Sequence, residues 1–173
     1  AKWICQNMGV DEADFYEAIA TFSGASKRLE KIAETDSAVV FKDFAHSPSK
    51  VMATTNAVKE QYPNRIVIAC LELHTYSSFN AEFLKEYKGA LDAADEAVVF
   101  FLPESVKIKK LKEVTAGQIS RAFERSDLQI YTDSDAFKDF IFAKDYTDTV
   151  LLLMSSGNYG GLDLKAVKSL IEG

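Results

Sequence analysis

From residue 38 onward, short apolar runs alternate with longer helical stretches, and this rhythm leaves few folds open. Strands are predicted near 38–43, 65–71, 96–101, 127–131 and 148–154, and helices near 48–61, 79–93, 115–125, 134–144 and 161–171. That alternation is the signature of βαβ units and a mostly parallel sheet. Val150-Leu151-Leu152-Leu153-Met154 is apolar throughout, as a strand covered on both faces should be. Lys27 to Ala33 alternates in character and suits an edge strand, with a turn at Thr35-Asp36-Ser37. The expected fold is α/β: a doubly wound, mostly parallel sheet of about six strands with an antiparallel edge strand, preceded by a short helical segment.

The helical segment is residues 1–22. Trp3, Ile4 and Met8 fall at helical spacing, Gly9 closes the first helix, and Asp11 is a candidate N-cap for the second. Phe15, Ala18, Ile19 and Phe22 would then share one apolar face. The chain opens at Ala1 inside a helix pattern, so a longer protein is expected, with 1–22 and 23–173 as separate units. The 173 residues carry a net charge of −6, which argues against a nucleic-acid footprint. No apolar run is long enough to span a bilayer and no signal-peptide pattern is present, so no membrane role is expected. Two cysteines, Cys5 and Cys70, do not make a disulfide scaffold, and a reducing cytoplasm is the expected compartment.

In a parallel, Rossmann-like sheet the loops after the strands gather at one edge, where ligands bind. That edge would carry Asp43, His46 and Ser47 after the first parallel strand, and Glu72, His74, Thr75, Tyr76 and Ser77 after the second. Residues 104–112 would follow the third as a loop, and Ser155 to Gly161 the last strand. Ser47-Pro48 opens a helix, whose first N–H groups suit a phosphate. Asp43 could accept from a ribose hydroxyl or simply brace its loop. His46 could stack on a base or donate to an anion, or bond only to backbone. Val106-Lys107-Ile108-Lys109-Lys110-Leu111-Lys112 is the one basic island and could face an anionic ligand or solvent.

Some chemistries are disfavoured. His46 and His74 make no metal-ligand pair at i, i+4, and zinc needs three or four ligands, so no metal site is assigned to the chain. Cys70 lies inside Ile66-Val67-Ile68-Ala69-Cys70-Leu71 and reads as core rather than as a nucleophile for His74. Ser155-Ser156-Gly157-Asn158-Tyr159-Gly160-Gly161 matches neither phosphate-loop nor dinucleotide fingerprints, and its glycines suit a tight turn with positive φ.

Two segments resemble a known family. Gly24-Ala25-Ser26-Lys27-Arg28-Leu29-Glu30 is similar to the Gly-x-Lys-Arg-Arg-x-Glu segment that opens the C-terminal domain of Mur ligases, and Asp43-Phe44-Ala45-His46-Ser47-Pro48 resembles that domain's Asp-Tyr/Phe-Ala-His-x-Pro motif. Ala53, Thr54 and Ala57 follow its Ala-Thr-x-x-Ala pattern, and Thr149 to Gly160 resembles its apolar strand followed by Gly-Ala-Gly-Asp-Ile-Gly. Asp-Phe-Ala-His with Glu72 resembles the branch that reattaches recycled L-Ala-γ-D-Glu-meso-diaminopimelate, the murein peptide ligases. The branch that adds L-alanine comes next.

The resemblance implies an ATP- and Mg2+-dependent amide-bond ligase of peptidoglycan synthesis. A substrate carboxylate on UDP-N-acetylmuramate is activated as an acyl phosphate, and the amine of an amino acid or tripeptide attacks it. It implies that Arg28, Asp43 and Ser47 contact ATP, that His46 lies at the domain-closing edge near the reacting groups, and that His74, Thr75, Tyr76 and Ser77 meet the amine substrate. It also implies that residues 1–22 are the last helices of a central ATPase domain, which holds the phosphate loop and magnesium and which, with an N-terminal domain, completes the enzyme. The family usually has arginines after the second parallel strand, where a fork grips a carboxylate. Here Glu72 to Asn80 has none, so His74, the hydroxyls or Lys107, Lys109 and Lys110 would substitute. The chain has no G-x-x-G-K-[ST] loop, which phosphoryl transfer needs, so the 173 residues alone are expected to be inactive. The competing expectations are a stand-alone doubly wound nucleotide- or partner-binding module, receiver-like or otherwise, and a non-catalytic relative of the same domain. A receiver is disfavoured because Asp43 stands without an acidic cluster and no Asp ends the strand near 65–71.

Overall fold

The fold was examined in a computed structural model, which describes residues 1–21, 28–108 and 114–173. Its centre is a six-stranded sheet of β1 (Glu30–Glu34), β2 (Ala38–Asp43), β3 (Ile66–Glu72), β4 (Glu96–Phe100), β5 (Gln129–Tyr131) and β6 (Thr149–Met154), in the order β1-β2-β6-β3-β4-β5. Only the β1–β2 pair is antiparallel. The predicted fold class, including the antiparallel edge strand, is therefore what the chain adopts. β6 lies between β2 and β3, and every one of its residues is buried. The run of five apolar residues from Val150 to Met154 follows from that position.

The helices are α1 (Lys2–Asn7), α2 (Glu12–Ala20), α3 (Pro48–Gln61), α4 (Ala81–Leu84), α5 (Pro103–Ile108), α6 (Ala116–Phe123), α7 (Ser134–Ala143) and α8 (Leu164–Glu172). Alternate strand residues feed two cores. Val39, Phe41, Val67, Leu71, Val99 and Leu152 meet Val51 and Val58 of α3 and Ile119 and Phe123 of α6. Val40, Ile68, Val98, Phe100 and Leu151 meet Phe137 and Ile141 of α7 and Val167 of α8 on the other face. Burying each such side chain contributes roughly 1.5–3 kcal/mol before conformational entropy is counted.

α3 leaves β2 toward the first face and α8 leaves β6 toward the second. The connections diverge there, so the C-terminal ends of β2, β6 and β3 lie together at the topological switch point, where open α/β sheets bind ligands.

The predicted helix over 79–93 is not continuous. Ser77–Phe79 and Lys85–Tyr87 are single 3₁₀ turns flanking the four-residue α4, and the chain then turns through Gly89 at φ +72°. Asn80 caps α4 through the N–H groups of Glu82 and Phe83. Phe79, Leu84, Tyr87, Leu91 and Ala94 are buried at helix-like intervals, so the broken segment preserves the periodicity that suggested one helix. The segment read as a loop over 104–112 starts as α5 with Pro103 at its first turn; Lys109 to Glu113 lie outside the described residues. So do Phe22 and the start of the Gly24 to Glu30 motif through Lys27.

α1 and α2 form as expected, with Asp11 capping Asp14 N–H at 2.9 Å and Gly9 at φ +89° between them. Neither buries a residue, and Trp3 is 74% exposed. Among the described residues no helix is long and apolar enough to cross a membrane.

Candidate functional site

β2 ends at Asp43, and Asp43 is spent on the backbone. Its Oδ1 accepts the Ala45 N–H and its Oδ2 the Leu29 N–H, each at 2.6 Å. Leu29 sits in the left-handed region at φ +43°, so this carboxylate fixes a strained entry into β1. Asp43 is 6% exposed. Of the two roles open to it from sequence, loop bracing is the one its hydrogen bonds display.

The brace places Arg28 beside β2. The Arg28 guanidinium lies 5.9 Å from the Phe44 ring centroid, and the Phe44 ring meets His46 edge-on at 5.1 Å. His46 Nδ1 is 2.8 Å from the Phe44 carbonyl. A carbonyl only accepts, so Nδ1 carries the hydrogen and Nε2 is the nitrogen turned away from that bond. The His46 carbonyl accepts from the buried Tyr87 hydroxyl at 2.5 Å. Ser47 occupies the N-cap of α3, yet its side chain makes no capping bond, and Pro48 follows. The first-turn N–H groups of a 14-residue helix thus face this edge without a side-chain cap. Ser47, Pro48, Ser49 and Met52 line a hollow of about 410 Å³ there, closed on one side by Phe83 and Glu86. Arg28, Asp43, His46 and Ser47 are therefore one neighbourhood.

β3 runs one residue further than the apolar pattern suggested, to Glu72. This carboxylate is 4% exposed. Its Oε2 accepts the Tyr159 N–H at 2.9 Å and the Ser155 hydroxyl, and His74 Nδ1 lies 3.8 Å from Oε1. Ser155 Oγ in turn accepts the Gly157 N–H at 2.6 Å, and Ser155 N–H donates to the Asp43 carbonyl at 2.9 Å. Asp43, Ser155 and Glu72 therefore tie the ends of β2, β6 and β3 together. Sequence reading placed Glu72 at this edge without assigning it a role, and left Ser155 and Tyr159 without partners. Their contacts span more than eighty residues, which no local pattern displays.

The glycines of the β6 turn divide by purpose. Gly160 and Gly161 hold φ +63° and +86°, as a tight turn requires. Gly157 has no such angle; a Cβ there would fall 2.7 Å from Glu72 Oε2. The Tyr159 phenol reaches back to the Cys70 and Met154 carbonyls at 2.6 and 2.8 Å, and burial raises its pKa well above the usual phenol value.

His74, Thr75, Tyr76 and Ser77 project from the end of β3, across β6 from the His46 neighbourhood. His74 and Tyr76 are exposed, with 44% of the His74 side chain and 64% of Tyr76 accessible. Thr75 Oγ1 pairs with Ser77 Oγ at 3.1 Å, and Ser78 donates to the Thr75 carbonyl at 2.7 Å, so the loop is internally braced. Beside it opens a groove of about 1140 Å³ lined by Tyr76, Ser77, Phe79, Asn80, Phe83 and Gln118. Lys107 is on α5, while Lys109 and Lys110 lie outside the described residues. Among the described residues no three of His, Cys, Asp and Glu gather around a common point as metal ligands would.

Comparison with known proteins agrees with this architecture. A UDP-N-acetylmuramate–L-alanine ligase of Streptococcus agalactiae is 39% identical over 152 residues, which is 87% of this chain and 32% of that protein. The chain spans between 20% and 37% of the length of the first curated relatives it matches. Among solved structures, a UDP-N-acetylmuramate-alanine ligase of Thermotoga maritima superposes with a TM-score of 0.68 at 18% identity, over 98% of this chain and 34% of that one. A murein peptide ligase of Psychrobacter arcticus gives 0.66 at 20%, over 96% and 34%. Residues 27–157 match the family model described as "Mur ligase, glutamate ligase domain", and the chain belongs to this family, the C-terminal domain of the Mur ligases.

Proposed function

We propose that this chain is the C-terminal domain of a cytoplasmic, ATP-dependent ligase that joins an amino acid or a recycled peptide to UDP-N-acetylmuramate. The observation that carries the reading is the pairing of two neighbourhoods across β6. Arg28, His46 and Ser47 lie on one side and His74 to Ser77 on the other, both at the switch-point edge of a Mur ligase domain.

The chemistry supplied from outside this chain is activation of the muramate carboxylate by the γ-phosphoryl of ATP. The residues present fit the nucleotide's edge. The uncapped first turn of α3 offers N–H donors to an anion, and the exposed Arg28 adds a cation beside it. Asp43 holds Arg28 in place through Leu29 N–H, so its part in nucleotide binding is to set that arginine. His46, with Nδ1 committed to backbone, presents Nε2 toward the closing domain. His74, with Glu72 behind it, and the hydroxyls of Thr75, Tyr76 and Ser77 would receive the incoming amine substrate, in place of the arginines the family usually has. Mg2+ is assigned to the central domain with the phosphate loop, as the family resemblance implies. Residues 1–22 are assigned to the junction with that domain.

The test is a ligation assay with ATP, UDP-N-acetylmuramate and either L-alanine or the tripeptide L-Ala-γ-D-Glu-meso-diaminopimelate. The 173 residues alone should give no product, and a full-length polypeptide carrying them together with its N-terminal and phosphate-loop domains should give product and ADP in equal amounts. Turnover by the 173 residues alone would refute the division of labour.

A further inference from the structure

Glu72 is a carboxylate buried at the C-terminal end of β3, and the backbone does not require an acid there. Strand β3 could end on any residue, yet here it ends on one that is 4% exposed and, among the described residues, has no lysine or arginine bonded to it. Burying such a group costs free energy unless donors surround it. Its donors come from the β6 turn: the Ser155 hydroxyl and the Tyr159 N–H, with Gly157 kept free of a side chain so that the carboxylate can approach. The next polar side chain, two residues past the strand's end, is His74, 3.8 Å from Oε1.

We propose that Glu72 is a positioning residue for the amine substrate, resting on the ligase reading above. One carboxylate sets the distance between the neighbouring loops that follow β6 and β3. It fixes the β6 turn through Ser155 and Tyr159, and it stands directly behind the His74–Ser77 segment. Ser155 N–H also donates to the Asp43 carbonyl, but that is a bond between backbones and does not depend on the Glu72 side chain. The nucleotide-side neighbourhood has its own supports, Asp43 for Arg28 and Tyr87 for His46. Loss of Glu72 should therefore be felt on the amine side and not on the ATP side. A misplacement of about 1 Å in a positioned reactant is worth up to roughly 100-fold in rate.

The experiment has two arms. In the first, amide exchange is measured on the 173-residue chain. Glu72→Ala should raise exchange at Tyr159 and Gly157 at least tenfold relative to the β6 core, and Glu72→Gln, which keeps an acceptor oxygen, should restore protection to within about threefold. In the second, the full-length polypeptide that carries this chain with its N-terminal and phosphate-loop domains is assayed. Glu72→Ala should raise KM for the amine substrate about tenfold, leave KM for ATP within twofold, and be rescued by Glu72→Gln. Unchanged exchange at Tyr159 overturns the proposal, and so does a Glu72→Ala enzyme whose two KM values rise together or not at all. If Glu72→Ala does not fold, Ser155→Ala and Gly157→Ala replace it with the same expected signature. The exchange arm needs no ligation, so an inactive wild-type enzyme would refute the ligase reading while this arm still decides whether Glu72 holds the turn.

Discussion

The Tyr87 hydroxyl donates to the His46 carbonyl over 2.5 Å, joining the loop after β2 to a segment 41 residues away. Tyr87 is fully buried and stacks on Phe123 with centroids 5.2 Å apart. Burial drives its phenol pKa far above the usual value, so it stays a neutral donor across any working pH. His46 is thereby held from the first helical face of the sheet while its ring rests on Phe44.

Tyr87→Phe removes this donor and leaves the carbonyl without its partner. The expected cost is about 1–3 kcal/mol, seen as a lower urea midpoint at unchanged slope. His46 ring resonances should also shift. An unchanged midpoint and spectrum would show that the bond does not hold the loop.

Asp43→Asn should be costlier than its conservative chemistry suggests. The aspartate accepts two backbone N–H groups, one on each oxygen. An amide can accept on only one side and turns an NH2 toward the other donor. The expected loss is about 1–3 kcal/mol. Amide exchange should quicken at Leu29 or Ala45, whichever faces the NH2. Wild-type stability in this variant would contradict the bracing role.

The parallel strands were legible because a strand buried on both faces must be apolar, and the β6 run shows this without help from neighbours. Asp11 and Gly9 were legible because capping is local. The broken helix over 79–93 was not. Its buried residues keep helical intervals, and only the combination of Asn80 as a cap and Gly89 at positive φ interrupts the coil. In the site, His46 and Ser47 could be placed from the strand-to-helix transition. Glu72 could not be given its role, because its partners Ser155 and Tyr159 lie 83 and 87 residues away in sequence. The β6 turn looked like glycines serving φ alone, whereas Gly157 is there for room.

Acid should weaken the end of the sheet opposite the site. Asp95 is partly buried, which disfavours its charged form, but the Lys59 ammonium and the Val67 N–H, each at 2.7 Å, outweigh this and hold its pKa below the ordinary 3.8. The folded carboxyl ionises more readily than the unfolded one. Its contribution is thus complete above about 3.8 and fades as pH falls through the lower folded value. Asp95→Asn should flatten this part of a stability-versus-pH curve between about pH 5 and pH 2. A curve parallel to wild type there would contradict the assignment.

The two cysteines should separate cleanly toward an alkylating reagent. Cys70 is fully buried in β3, and burial raises its thiol pKa far above the usual value. Cys5 is only half-buried on α1. Under native conditions iodoacetamide should modify Cys5 and spare Cys70, with both modified in denaturant, as read by peptide mass spectrometry. Native labelling of Cys70 would mean that the sheet opens far more often than its packing implies.

The most direct measurement is the ligation rate of the full-length polypeptide carrying this chain with its N-terminal and phosphate-loop domains, wild type against His46→Ala, with ADP and amide product followed together. The account predicts equal ADP and product from wild type. It predicts a kcat/KM lower by about 100-fold in the variant, at unchanged stability of the domain. ADP-linked amide formation that is absent from wild type, or undiminished by His46→Ala, would contradict the claim that this edge is half of a ligase site.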